Sequence, residues 1–168
     1  ALGEKLGAIN PTSSDDPNAV LSGFANAKMG EWIDSAIDAD LQQAGAEDYT
    51  AKYREGNRLV QNESGTFLRP SVVFCESFDH PLSNREFLCP YASVVEAPQK
   101  DMLRLIGPTL VATAISNDGA FRNDLLVAPN IERLNLGPIS TMKISWDQPH
   151  EGNMFEFLYK RRSIGMAA

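Results

Sequence analysis

The stretch Leu110-Val-Ala-Thr-Ala-Ile-Ser116 is a near-continuous apolar run. Runs of this kind read as strands buried on both faces of a parallel sheet. A parallel sheet needs crossover connections, most often helices, and the surrounding sequence has the punctuation for them. Thr66-Phe-Leu-Arg-Pro-Ser-Val-Val-Phe-Cys75, Tyr91-Ala-Ser-Val-Val-Glu96 and Ile131-Glu-Arg-Leu-Asn-Leu-Gly137 read as three further strands. Between them, Pro98 opens a short helix carrying Met102, Leu103 and Ile106, and Asp118 caps a helix with Phe121, Leu125 and Leu126 on one side. Asn153 with Glu156 resembles a capping box before a last helix holding Phe155, Leu158 and Tyr159. Strand and helix alternate, and right-handed crossovers suit them. The expected fold is α/β, an open and mainly parallel sheet with flanking helices.

The first third has a different texture. Leu2–Leu6 reads as the last turns of a helix whose beginning is missing, stopped by Gly7. Asn10–Pro17 is rich in turn residues and reads as a loop. Asp16 then serves as the expected N-cap, with Pro17 in the first helical position, of one long helix over Asn18–Ala44. Leu21, Ala25, Met29, Ile33, Ile37 and Leu41 form its apolar stripe. Gly23 and Gly30 cost a helix about 1 kcal/mol each, so they mark close packing or a break. Gly45 ends the element.

Composition excludes several function classes. At 168 residues, with 43% hydrophobic and 22% charged residues, the chain suits one ordinary globular domain. Its net charge is −7, and the longest basic cluster is Lys160-Arg161-Arg162. A nucleic-acid partner is therefore not expected. No apolar run approaches the roughly 18 residues that suggest a bilayer span, so no membrane partner is expected, and a cytoplasmic setting is the expectation. Cys75 and Cys89 are the only cysteines. They are too few for a disulfide scaffold or a four-ligand zinc site, and read as free, mostly buried thiols.

Other chemistry-bearing residues give weak signals. His80 and His150 could each pair with a cysteine as a nucleophilic dyad, but no spacing supports it. A histidine before Pro81 more often caps a turn. Asp147, His150 and Glu151 offer mixed ligand types in one loop without a repeat, so no metal site is expected. Trp146 and Phe155 read as core or interface aromatics.

Taken in order, Gly65-Thr-Phe-Leu-Arg-Pro70-Ser-Val-Val73, Glu86-Phe-Leu-Cys-Pro90 with Tyr91-Ala-Ser-Val-Val95, Gly107-Pro-Thr-Leu-Val-Ala-Thr113 and Arg133-Leu-Asn-Leu136 form a series. That series resembles the carboxy-terminal part of the aldehyde dehydrogenase catalytic domain. The family has a Pro-Thr-Val strand after a Gly-Gly-x-Phe-like turn, a Glu-Ile-Phe-Gly-Pro motif before a Val-Val strand, a Tyr-Gly-Leu-Ala-Ala strand, and a Val-Asn strand. The helix end, Pro loop, long helix and Gly45-Ala46 element of the first half follow the family layout as well. The resemblance thus covers residues 1–168 as a partial catalytic domain, and His80-Pro-Leu with Trp146-Asp-Gln-Pro-His150-Glu-Gly-Asn153 resembles one divergent branch. Cys89 stands where the family motif has Gly, Leu88 where it has Phe, and Gln148-Pro-His-Glu-Gly152 replaces the usual Pro-Phe-Gly-Gly segment.

The resemblance implies a specific chemistry. In the family a thiolate attacks the aldehyde carbonyl, hydride passes to NAD or NADP, and a Glu base activates water to release the acid. Nucleophile, base and dinucleotide domain all map upstream of this chain. Neither Cys75 nor Cys89 matches the nucleophile, and no catalytic residue is assigned. Glu86 matches the family residue that hydrogen-bonds the nicotinamide-side ribose, with Leu88 packing beside that ribose. The expectation is a fragment of an NAD(P)-dependent aldehyde dehydrogenase that is inactive and cofactor-free alone. Its partner would be the remainder of the enzyme, or a second copy through an exposed sheet edge. The alternative is a free-standing truncated pseudoenzyme or interaction module acting by association.

Overall fold

The computed structural model describes residues 1–13, 15–145 and 158. The chain divides into two compact units, Ala1–Ala97 and the residues from Pro98 onward. In the first, α1 (Leu2–Gly7) and a short 3-10 helix (Tyr49–Lys52) pack on β4 (Ser71–Cys75). Gly7 does more than end α1. A Cβ there would sit 2.9 Å from the Thr50 carbonyl oxygen and 2.9 Å from the Tyr53 Cβ, so only glycine allows the approach.

The long helix is shorter than the periodicity predicts. α2 runs Ala27–Leu41, and its N-cap is Asn26, whose side chain accepts from the Lys28 N–H. Asp16 instead accepts from the Asn18 N–H at 2.8 Å and closes a local turn. Tertiary pairing explains the difference. The Phe24 N–H donates to the Thr66 carbonyl at 2.8 Å, which holds residues 23–25 out of a helix. Both interior glycines mark close packing: Gly23 lies against the Phe67 ring, and Gly30 against Phe24 and the Thr66 methyl. Gly30, Ile33 and Ile37 form the buried face of α2. After α2 the chain reverses at Gly45, whose φ of +95° excludes most side chains.

The predicted Thr66–Cys75 strand is two strands. β3 (Gly65–Leu68) pairs antiparallel with β2 (Leu59–Asn62) across a two-residue turn. β4 joins a different, three-stranded sheet in the order β1-β4-β5. Arg69-Pro70 separates the two, as expected where Pro lacks the N–H a ladder needs. β1 (Ala46–Asp48) runs antiparallel to β4, whereas β5 (Tyr91–Val95) is parallel to it, in register Ser71↔Tyr91 to Cys75↔Val95. Ile33, Ile37, Leu68, Val73, Cys75, Leu82 and Phe87 form the core, so the sheet and α2 share one apolar interior. Each large aliphatic side chain fully buried there contributes about 1.5–3 kcal/mol.

The second unit follows the sequence reading more closely. α3 (Gln99–Leu105) begins after Pro98, and β6 (Thr109–Ala114) pairs in parallel with β7 (Ile131–Leu136). Asp118 caps α4 (Gly119–Val127) by accepting from the Ala120 and Phe121 N–H groups. One expectation fails here: the apolar run on β6 is half-exposed in this chain, because its sheet has only two strands among the described residues. The architecture is open α/β, with no closed barrel among the described residues. No described helix is long and apolar enough to cross a membrane. The residues of the Asn153 capping box, and Asp147, His150, Glu151, Trp146 and Phe155, lie outside the described residues.

Candidate functional site

The connection from β4 to β5 crosses over at one end of the sheet, and its return segment, residues 85–90, carries the two residues singled out from sequence. Its first half is rigid for local reasons. His80 precedes Pro81 and caps the 3-10 helix Pro81–Asn84, its Nδ1 accepting from the Leu82 N–H at 3.1 Å. Ser83 Oγ donates to the His80 carbonyl at 2.7 Å, and Ser93 Oγ donates to the Ser83 carbonyl at 2.8 Å. These bonds tie the crossover to β5.

Beyond Asn84 the chain carries two successive tight bends. The Cys89 N–H donates to the Phe87 carbonyl, and the Tyr91 N–H to the Cys89 carbonyl, both at 2.8 Å. Phe87 points inward, meeting the Tyr91 ring edge-on at 5.0 Å and the Trp32 ring edge-on at 6.5 Å. Tyr91 in turn donates its hydroxyl to the Leu82 carbonyl at 2.5 Å, and burial raises its pKa far above the ordinary phenol value. Glu86 and Leu88, on either side of the inward Phe87, are exposed. Leu88 sits at the apex of the first bend and is 85% exposed. The Glu86 carboxylate has no hydrogen-bond or ion-pair partner among the described residues, so both oxygens can accept from a ligand.

Neither cysteine is arranged as a nucleophile. Cys75 Sγ lies 4.0 Å from His80 Nδ1, so the structure does bring a cysteine and a histidine together. That nitrogen already accepts the Leu82 amide, however, and Cys75 is fully buried, which raises its pKa. Cys89 is half-buried, and desolvation pushes its thiol up to about 11 although the Arg58 charge pulls the other way. A thiolate is the reactive form, and burial opposes it at both cysteines. His80 Nε2 is buried and unpartnered among the described residues. No group of three potential metal ligands occurs among the described residues.

A concavity of about 570 Å³ lies apart from this turn and shares no residue with it. Its wall includes Asp34, Asp38, Arg54, Asn57, Arg58 and Gln61. Those wall residues form an ion network that sequence reading missed. Arg58 Nε bonds Asp34 Oδ1 at 2.8 Å, and its Nη2 bonds Asp38 Oδ1 at 2.6 Å. Arg54 Nη2 bonds Asp48 Oδ2 at 2.9 Å, while Asp48 Oδ1 caps the 3-10 helix through the Thr50 and Ala51 N–H groups. The i, i+4 spacing of Asp34 and Asp38 was the one available signal. Their partner is 24 residues from Asp34 and invisible to local patterns.

Neither a protein-family model nor a curated protein matches the sequence. Solved structures do match by shape. Lactaldehyde dehydrogenase from Escherichia coli superposes with a TM-score of 0.67 at 10% identity, over 89% of this chain and 31% of that one. An indole-3-acetaldehyde dehydrogenase solved with NAD+ gives 0.68 at 16% identity, over 90% and 30%. The chain has the fold of an aldehyde dehydrogenase segment. The aldehyde dehydrogenase KauB from Pseudomonas aeruginosa agrees, at 0.66 and 14% identity over 86% and 28%. The chain therefore spans about a third of the length of the dehydrogenases it matches.

Proposed function

We propose that residues 1–168 are part of the catalytic domain of an NAD(P)-dependent aldehyde dehydrogenase, which oxidises an aldehyde to a carboxylic acid. The observation that supports this reading most is the turn at Glu86–Leu88, presented by an aldehyde dehydrogenase fold with a free carboxylate and an exposed apolar residue side by side. Glu86 can accept from both hydroxyls of a ribose cis-diol, and Leu88 offers an apolar contact to the same ribose. These residues fit the nicotinamide riboside half of the cofactor. When bound, that cofactor supplies the hydride acceptor. The chain's own part is to fix the ribose orientation and exclude water from that side. The attacking thiolate and the general base come from elsewhere in the protein, since neither Cys75 nor Cys89 matches the position of the family's nucleophile.

The same reading assigns the partners. The chain packs on the remainder of the enzyme, or on a second copy, through the free edges of its short sheets. Two reduced thiols suit a cytoplasmic setting. The test measures cofactor reduction with short and long aldehydes, for this chain alone and for the intact protein. The chain alone gives no turnover, and the intact protein turns over with a cofactor affinity weakened by Glu86→Gln. Steady turnover by the chain alone that disappears on Cys89→Ser would reverse the assignment. A monodisperse monomer without dye-binding apolar surface, across a wide concentration range in sedimentation, would favour a free-standing interaction module instead.

A further inference from the structure

We infer that Asp40 and Trp32 on α2 are positioning residues for Glu86, an inference that rests on the cofactor reading of that turn. Residues 85–90 belong to no strand, so no sheet ladder dictates where the Glu86 carboxylate points. Glu86 itself has no partner among the described residues. Backbone bonds and the Phe87–Tyr91 contact hold the C-terminal side of the segment to β5, and both neighbours of Glu86 also reach α2. On one side, Arg85 Nη1 bonds Asp40 Oδ2 at 2.5 Å. On the other, the Phe87 ring meets Trp32 edge-on at 6.5 Å. The Arg85 guanidinium also lies 5.6 Å from the Phe87 ring centre, which links the two anchors.

Trp32 and Asp40 are about two helical turns apart, roughly 12 Å along the axis of α2. Two anchors at that spacing set a direction as well as a position. Asp40 is the less exposed partner of its ion pair, with 16% of its side chain exposed against 42% for Arg85. The pair is therefore held from the helix side. A carboxylate presented on a pinned segment loses less conformational freedom on binding than one on a loose loop, and affinity rises accordingly. Asp40 touches no ligand in this scheme; it acts through Arg85.

The experiment uses the intact protein and whichever of NAD+ and NADP+ it binds, with ¹³C-methyl relaxation of Leu88 as a readout that needs no cofactor. Asp40→Asn lowers the Leu88 methyl order parameter and raises the cofactor Kd about three- to fivefold, the worth of a partly exposed ion pair. Asp40→Glu restores most of both. In a Glu86→Gln background, Asp40→Asn adds nothing further to Kd, because the group it positions is gone. An unchanged Leu88 order parameter in Asp40→Asn, or effects on Kd that simply add to those of Glu86→Gln, overturns the positioning role. Glu86→Gln with unchanged Kd, or no binding of either dinucleotide, overturns the cofactor reading instead, and the Leu88 relaxation then judges the clamp by itself.

Discussion

Replacing Arg58 by Met keeps the aliphatic stem but removes the guanidinium from the interior of the first unit, where only 5% of its side chain is exposed. Losing one partner of a buried ion pair costs about 3–5 kcal/mol, because the other charge is left without compensation. The geometry narrows that range. Asp38 is 64% exposed at its side chain and regains water, so its bond contributes no more than about 1 kcal/mol. Asp48 keeps Arg54 at 2.9 Å and is not orphaned. Asp34 loses its 2.8 Å partner with a fifth of its side chain exposed, and its carbonyl loses a 3.0 Å donor. Allowing for partial solvation of Asp34, the expected loss is about 3 kcal/mol. For a protein of this size each kcal/mol lowers Tm by roughly 2–4 °C, giving about 6–12 °C. Urea unfolding followed by circular dichroism measures it, with an unchanged slope and a midpoint shifted down by roughly 1.5 M. Adding Asp34→Asn to Arg58→Met should restore part of the loss, since the uncompensated charge is removed. A loss under about 1 kcal/mol, or a double variant no better than the single, would refute the claim that a desolvated Asp34 sets the cost.

Ile37→Ala empties a fully buried site between α2 and the sheet, and should cost about 2–5 kcal/mol in the same unfolding assay. Cys89, with its thiol raised from 9.0 to about 11, should carry roughly one hundredth of the thiolate of an ordinary cysteine at pH 8. Alkylation followed by mass spectrometry should show a correspondingly slow rate that climbs with pH, and labelling at the rate of a free thiol would contradict the burial. Asp118 has its pKa lowered, first by the Gln99 side-chain hydrogen bond and then by the Phe121 and Ala120 amides. Its stabilisation of α4 is therefore fully present above the ordinary value of 3.8, and is lost as pH falls below that through the lowered folded value. Amide exchange along α4 in acid, compared with Asp118→Asn, reads this directly.

The parts of the fold legible in the sequence are those whose cause is local. Asp118 capping α4 and His80 capping the turn that starts at Pro81 each follow from a side chain meeting an amide two or three residues away, and Pro98 opens α3 through its own fixed φ. The misread segment, residues 18–26, has equally good helical periodicity, but the Phe24–Thr66 bridge links positions 42 residues apart and overrides it. The Arg69-Pro70 break was visible in principle, since a proline inside a strand argues for an edge or an end. β1 was too short to show a pattern. Of the site, the exposure of Glu86 and Leu88 could be anticipated only through the resemblance. The Arg85–Asp40 and Arg58–Asp34 pairs span 45 and 24 residues and leave no trace in local spacing.

β4 has hydrogen-bonded neighbours on both edges, antiparallel β1 on one and parallel β5 on the other. The hairpin of β2 and β3 can close in microseconds around its two-residue turn, without waiting for distant chain. β4 has no such shortcut. It becomes fully paired only when segments starting near Ala46 and ending near Val95 have both been drawn in. Assembly of the three-stranded sheet is therefore the expected late, rate-setting event in folding this unit, and β4 should be the last strand to give up its amide protons when the native protein breathes.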